Sequence, residues 1–210
     1  MSIDFFTVPT VTMRVLFVFI VLEHRRREVL HFNVTEHPTA AWTSQQIVEA
    51  FADRDGPRYL IRDRDGVYGN EVRLRIASLH IEQVLTAPRS PWQNPYTERL
   101  IGSIRRDCLN HFVILNARHL KKTLASYLAY YHGSRTHLGL DKQCPFPRQV
   151  SGIGRIIEIP QVAVCITVMN AWQHNDISAD AFLAKDNVIS FLVHRGNIVK
   201  RLALGDDPTR

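Results

Sequence analysis

The chain has 210 residues, 45% of them hydrophobic and 22% charged, the composition of a globular protein long enough for one domain with a real core and at most a small appendage. Its net charge is +6 and its pI near 9.5, and Pro88 to Arg148 holds ten Lys or Arg against three acids, a field that suits either a polyanionic partner or a merely solvated basic face. Three cysteines, Cys108, Cys144 and Cys165, with no Cys-x-x-Cys among them, argue against a disulfide framework or a zinc ribbon and for a reducing compartment.

In chain order, Ser2 to Val8 is β-prone up to Pro9. Arg14 to Leu22 follows as a long apolar strand. Its run Val15 to Leu22 is far short of the roughly twenty residues a membrane span needs, and the charged Glu23 to Glu28 segment after it holds no small-residue cleavage site. Val29 to Val34 alternates apolar and polar, so the three segments predict a meander with Asp4 on its first strand. Pro38 early in a first turn opens a helix carrying Ala40, Ile47, Val48 and Phe51 at helical spacing as far as Asp53. Asp55-Gly56-Pro57 then turns the chain into the strand at Tyr59-Leu60-Ile61. Strand, helix and parallel strand make a crossover whose ligands gather outside the strands' carboxyl ends, where Asp63 falls.

Asn70 to Leu79 reads as a helix and Ile81 to Thr86 as a short edge strand. Pro88 to Pro95 holds three prolines and predicts an irregular surface loop. In it, Trp92 either stacks on a nucleic-acid base or packs beneath the loop. The helix after Pro95 places Leu100, Ile101, Ile104, Cys108, His111 and Phe112 on one side, with Glu98, Gly102 and Arg105 at the stripe's edge and Arg99 and Arg106 toward solvent. Gly102 suggests close approach of another backbone or of nucleic acid. Asn116 to Tyr131 predicts a further helix with Leu120, Leu124, Leu128 and Tyr131 apolar and Lys121-Lys122 exposed. His132 and His137 lack cysteine partners and read as surface or nucleic-acid-facing residues rather than ligands.

Two carboxylates, one at a strand end and one opening a basic helix, suit a divalent metal, since hard cations prefer oxygen ligands. Asp63, Gly66 and Tyr68 stand as Asp-x-x-Gly-x-Tyr after the strand. Pro91, Asn94, Glu98 and Arg99 stand as Pro-x-x-Asn-x-x-x-Glu-Arg opening the helix. With Asp4 ahead of them, these motifs resemble the integrase catalytic core shared by retroviral integrases and bacterial insertion-sequence transposases, over roughly Ile3 to Val162.

The resemblance implies an α/β, ribonuclease-H-like fold with a mixed five-stranded sheet flanked by helices, and an Asp4, Asp63, Glu98 triad that is at once catalytic and metal-binding. It implies two Mg²⁺ (or Mn²⁺) ions roughly 3.5–4 Å apart, serving DNA end cleavage and strand transfer. Asp65 competes for the second position; the acid-to-aromatic spacing of Asp63 to Tyr68 favours Asp63. DNA, as element ends and target, is the implied partner, with a homo-oligomer on DNA and no membrane. The DNA-facing candidates are Arg89, Trp92, Gln93, Asn94, Arg99, Arg105, Arg106, Lys121, Lys122 and Arg135, the last in a basic, hydroxylated segment, His132 to Leu140, that is equally readable as a plain surface loop.

The expected domains are a catalytic core over 1–150 and a divergent C-terminal tail over 151–210. The tail shows a strand-like Val162 to Met169, a helix-prone Ala179 to Lys185 and a hairpin about Arg195-Gly196-Asn197. With no helix-turn-helix ahead of Asp4, the expectation is a truncated mobile element, cytoplasmic and nucleoid-associated. A catalytically idle, DNA- or transposase-binding remnant and a ribonuclease-H-like nuclease are the alternatives.

Overall fold

The computed structural model describes residues 1–147 and, beyond them, the strands at 155–161, 166–172, 193–194 and 197–198. Three antiparallel strands come first: β1 (Ser2–Pro9), β2 (Val15–Leu22) and β3 (Val29–Thr35). Helix α1 (Ala40–Ala50) crosses to β4 (Tyr59–Arg62), parallel to β1, and α2 (Asn70–Ser78) leads to β5 (Glu82–Leu85), parallel to β4. The sheet order is β3-β2-β1-β4-β5, which puts the Asp4 strand in the middle and makes β5 an edge strand, as expected. Helices α3 (Pro95–Asp107) and α4 (Ala117–Gly133) complete the core.

The all-apolar β2 is explained by its interior position between β3 and β1, with both faces covered. Strand periodicity sends Leu16, Val18, Ile20 and Leu22 into a cluster with Leu100, Ile104, Leu124 and Tyr127 of α3 and α4. Phe19 and Val21 go to the opposite cluster, with Ile47, Val72 and Ile76 of α1 and α2. On β1 the same alternation puts Phe6 and Val8 with the first cluster and Ile3 with the second. Ser2 and Asp4 therefore share the face that α3 covers.

Several local expectations need correction. Thr39, not Pro38, starts α1: its hydroxyl accepts from the Trp42 N–H at 3.2 Å, the usual means of satisfying an orphan donor of the first turn. Helix α3 stops at Asp107, and Cys108 turns the chain into a 3-10 turn over Leu109–His111. His111 is consequently exposed rather than part of the core stripe. His132 is half-buried, accepts from the Val29 N–H at 2.9 Å and stacks on Phe146 at 4.8 Å, so it closes the core instead of facing outward.

In the C-terminal portion, β6 (Arg155–Gln161) pairs antiparallel with β7 (Ile166–Trp172), a few residues beyond the expected strand, and β8 (Val193–His194) pairs with β9 (Asn197–Ile198). The helix expected over Ala179 to Lys185 lies outside the described residues, as does Cys165. Among the described residues no helix is long and apolar enough to cross a membrane.

Candidate active site

Ser2 of β1 pairs with Ile61 of β4, so carrying the parallel register two residues on sets Asp63 alongside Asp4 on the same face. Adjacent strands run about 4.8 Å apart, so the two carboxylates are neighbours by sheet geometry alone. Asp65 lies a further step past the strand end. The third acid, Glu98, occupies the first turn of α3, where the helix dipole favours negative charge.

These four acids line one cleft of about 290 Å³, walled by the Thr86–Pro91 loop and Asn94, with Arg64 and Arg89 at its sides. The Asp4 carboxyl is pushed up to about 7, chiefly by burial; its bond from the Phe5 N–H at 2.7 Å opposes the shift, and the charges of Asp63, Glu98 and Asp65 add to it. Asp63 is also raised by burial, against the Asp65 N–H that donates to it at 3.2 Å. The carboxylates thus feel one another electrostatically. Even so, among the described residues no group of three His, Cys, Asp or Glu side chains stands poised to hold an ion.

Beneath the site lies a support that the motifs alone did not reveal. Arg62 is only 5% exposed; its guanidinium donates to Gln83 Oε1 at 3.0 Å and to the Asp63 carbonyl at 2.9 Å and lies 5.1 Å from the Tyr68 ring centroid. It holds the backbone of Asp63 against β5. Tyr68, the aromatic end of the first motif, is buried with its hydroxyl unpartnered and its ionisation pushed up by burial and by Asp4 and Asp63. The sequence pattern ends this strand at Ile61 and leaves Arg62 in the charged segment after it; β4 runs one residue further and buries it.

The proline-rich loop is braced from both ends. The Ala87 N–H donates to Gln93 Oε1 at 2.6 Å, and Arg64 Nε donates to the Thr86 carbonyl at 3.0 Å. Arg89 adopts φ 56°, a left-handed conformation that costs a non-glycine residue roughly 1–2 kcal/mol. Trp92 is 71% exposed, so its ring does not pack beneath the loop. Asn94 is buried with its Oδ1 unpartnered.

The remaining basic candidates separate in space. Arg99, Arg105 and Arg106 are exposed along α3; Arg105 reaches the Thr7 carbonyl at 3.4 Å, and the Arg106 guanidinium lies over Gly102, 3.0 Å from where a Cβ would stand. The close approach at Gly102 is therefore made by Arg106 rather than by another backbone. Lys121 donates to Asn33 Oδ1 at 3.1 Å, which places it by β3, the sheet edge opposite β5, with Lys122 exposed on the same helix. Arg135, just past the end of α4, is tied to the Asp107 carboxylate of α3 and to the Tyr127 hydroxyl at 2.8 Å, a half-buried position.

Residues 79–145 match the family model described as integrase core domain. No curated protein matches the chain by sequence. The fold is similar to that of a chain in the simian T-cell lymphotropic virus intasome, with a TM-score of 0.57 at 12% identity over 75% of this chain and 59% of that one. It is similar also to the HTLV-2 integrase catalytic core domain in complex with magnesium, in its trimeric form, at 0.51 and 14% over 69% and 91%. The Mos1 transposase catalytic domain with raltegravir and magnesium gives 0.52 and 18% over 61% and 69%. This chain thus spans less than two thirds of the simian viral chain, and at these identities the likeness is one of fold.

Proposed function

We propose that this chain, whose residues 79–145 match the integrase core domain model, is a DDE-type polynucleotidyl transferase core that cleaves DNA ends and joins them to target DNA. The observation that supports it most is the meeting of Asp4 on β1, Asp63 at the end of the parallel β4 and Glu98 on the first turn of α3 around one cleft. On this reading residues 1–150 form the catalytic core and 151–210 a separate tail.

The donor set suits Mg²⁺ or Mn²⁺, because every acidic group in the cleft offers hard oxygen and the Asp4 and Asp63 carboxyls are raised chiefly by burial, with neighbouring acids adding to the cost of their charge, which a cation offsets. Asp4, Asp63 and Glu98 would hold it, and two such ions would activate the attacking hydroxyl and stabilise the leaving oxygen of an in-line displacement. Asp63 is preferred to Asp65 by its register opposite Asp4.

The protein's own side chains do the rest. Arg64 and Arg89 flank the cleft and offset the charge of a phosphodiester drawn toward the carboxylates. Trp92 presents an exposed ring on which a base at the strand end stacks, a contact worth about 1–3 kcal/mol. Gln93 braces the loop that carries it by accepting the Ala87 N–H, and the buried Asn94, which lines the cleft, ends that loop with its Oδ1 unpartnered. Arg99, Arg105 and Arg106 extend a positive face along α3, and Lys121 and Lys122 supply a second contact zone on α4. Arg135 is assigned to the fold rather than to DNA, since Asp107 and Tyr127 already engage it. A homo-oligomer on DNA is part of the proposal, because two ends must be joined together.

The test is Mg²⁺- or Mn²⁺-dependent cleavage and joining of labelled DNA on a disintegration-type substrate, which needs no end recognition, with Glu98→Gln alongside. Metal-dependent joining lost in the variant is the expected result. A folded protein that binds DNA in a salt-sensitive way but neither nicks nor joins it would instead be a binding module. Cleavage of RNA in hybrids without joining would mark a ribonuclease-H-like nuclease.

A further inference from the structure

The first turn of α3 carries Glu98, yet the helix has no side-chain cap: Asn94 occupies the cap position, its carbonyl accepts the Glu98 N–H at 3.1 Å, and its side chain makes no bond there. Something else must set where that turn sits on the sheet. Three contacts do so. The hydroxyls of Ser2 and Thr97, both fully buried, hydrogen-bond to each other across the β1–α3 interface. His24, just beyond β2, bonds Ser2 Oγ through Nε2 at 2.7 Å. Tyr96 lies between the His24 ring, 5.0 Å away, and the Arg27 guanidinium, 3.8 Å from its centroid.

The sequence positions make this more than packing. Ser2 is two residues before Asp4 on the same strand face, and Thr97 immediately precedes Glu98. One hydrogen bond therefore ties the backbone of the first carboxylate to the backbone of the third. Burial holds His24 neutral, its imidazole lowered to about 4 with the chain's amino terminus and Arg27 assisting, and a neutral ring completes the hydroxyl chain in either proton direction. A Ser–His pair also invites reading as a hydrolytic dyad. That reading fails here, because Ser2 is sealed from solvent and bonded on both sides.

We infer that the Ser2–Thr97 bond, backed by His24, is a positioning device that sets the separation of Asp4 and Glu98 and so the affinity of the carboxylate cleft for a divalent cation. The inference rests on the metal-dependent reading above. Thr97 and Ser2 touch neither substrate nor metal; they act through the two acids.

The experiment is titration of the whole chain with Mn²⁺, with unbound Mn²⁺ followed by electron paramagnetic resonance, on wild type, Asp4→Asn, Thr97→Val, Thr97→Ser and Ser2→Ala, each checked for native circular dichroism. Thr97→Val keeps the shape and removes the hydroxyl; it is expected to weaken Mn²⁺ binding about tenfold, the scale on which residues behind metal ligands act, while Thr97→Ser stays within about twofold of wild type. Ser2→Ala removes the same bond from the strand side and is expected to weaken binding by a similar factor. Unchanged Mn²⁺ affinity in folded Thr97→Val or Ser2→Ala, with only a lower melting temperature, overturns the inference and leaves the catalytic reading standing. Wild type that binds Mn²⁺ no better than Asp4→Asn overturns both.

Discussion

Replacing Arg135 by alanine separates a structural arginine from a DNA-binding one. The guanidinium engages Asp107 and donates to Tyr127 Oη at 2.8 Å, and the two ion-pair side chains are 26% and 33% exposed. Tyr127 is itself fully buried and reaches Asp107 at 3.3 Å, so removing Arg135 leaves a half-buried carboxylate and a buried phenol sharing one weak hydrogen bond. Partial exposure tempers the loss below the 3–5 kcal/mol of a fully buried broken pair, so the expected destabilisation is about 2 kcal/mol. For a domain of this size that lowers the melting temperature by roughly 4–8 °C. The assay is urea and thermal unfolding followed by circular dichroism, with salt-dependent DNA binding measured on the same preparations. Lys121→Ala/Lys122→Ala is the contrast: nearly unchanged stability, weaker DNA binding and a salt slope shallower by about one unit for each phosphate that is no longer neutralised. If Arg135→Ala unfolds like wild type but binds DNA more weakly, the assignment of Arg135 to the fold is wrong.

Three more outcomes are expected. Asp63→Asn should abolish metal-dependent strand joining by a factor of at least about 100, whereas Asp65→Asn retains most of it; equal losses in parallel single-turnover assays would undo the preference drawn from the β1–β4 register. His132 accepts a backbone N–H, and burial depresses its imidazole to about 4, with His137 assisting. The unfolded chain therefore takes up that proton first, and the contribution is whole above about pH 6.5 and fades as pH falls toward 4, a loss of about 2–3 kcal/mol in denaturant titrations that His132→Gln should reduce. Phe19→Ala, at a site with no exposure in the interior strand β2, should cost about 3–5 kcal/mol; a loss under about 1 kcal/mol would show that the two-sided burial of β2 is misread.

The local grammar of the chain was enough for the element order. The apolar run of β2 needs cover on both faces, Pro and Gly punctuate the connections, and α3 and α4 carry an apolar stripe, so three strands, a crossover and the helices follow from pattern alone. The acidic motifs pointed to Asp4, Asp63 and Glu98 through a resemblance whose implied fold is the one the sheet order and the neighbouring structures share. What pattern could not decide was anything that depends on which side chain meets which across the fold. Arg135 and Lys121 read alike as basic surface residues, yet Arg135 falls opposite Asp107 and Tyr127 while Lys121 lies by Asn33 at the far sheet edge. Arg62 looked like another charged residue of a charged run and is buried under the cleft. His132 looked polar and is an acceptor inside the α4 closure, and Ser2 looked like the unremarkable start of a strand until α3 set Thr97 against it. Sequence periodicity reports a residue's face on its own element; hydrogen bonds and ion pairs between elements depend on the register and crossing of two such faces, and those exist only once the sheet and helices have packed.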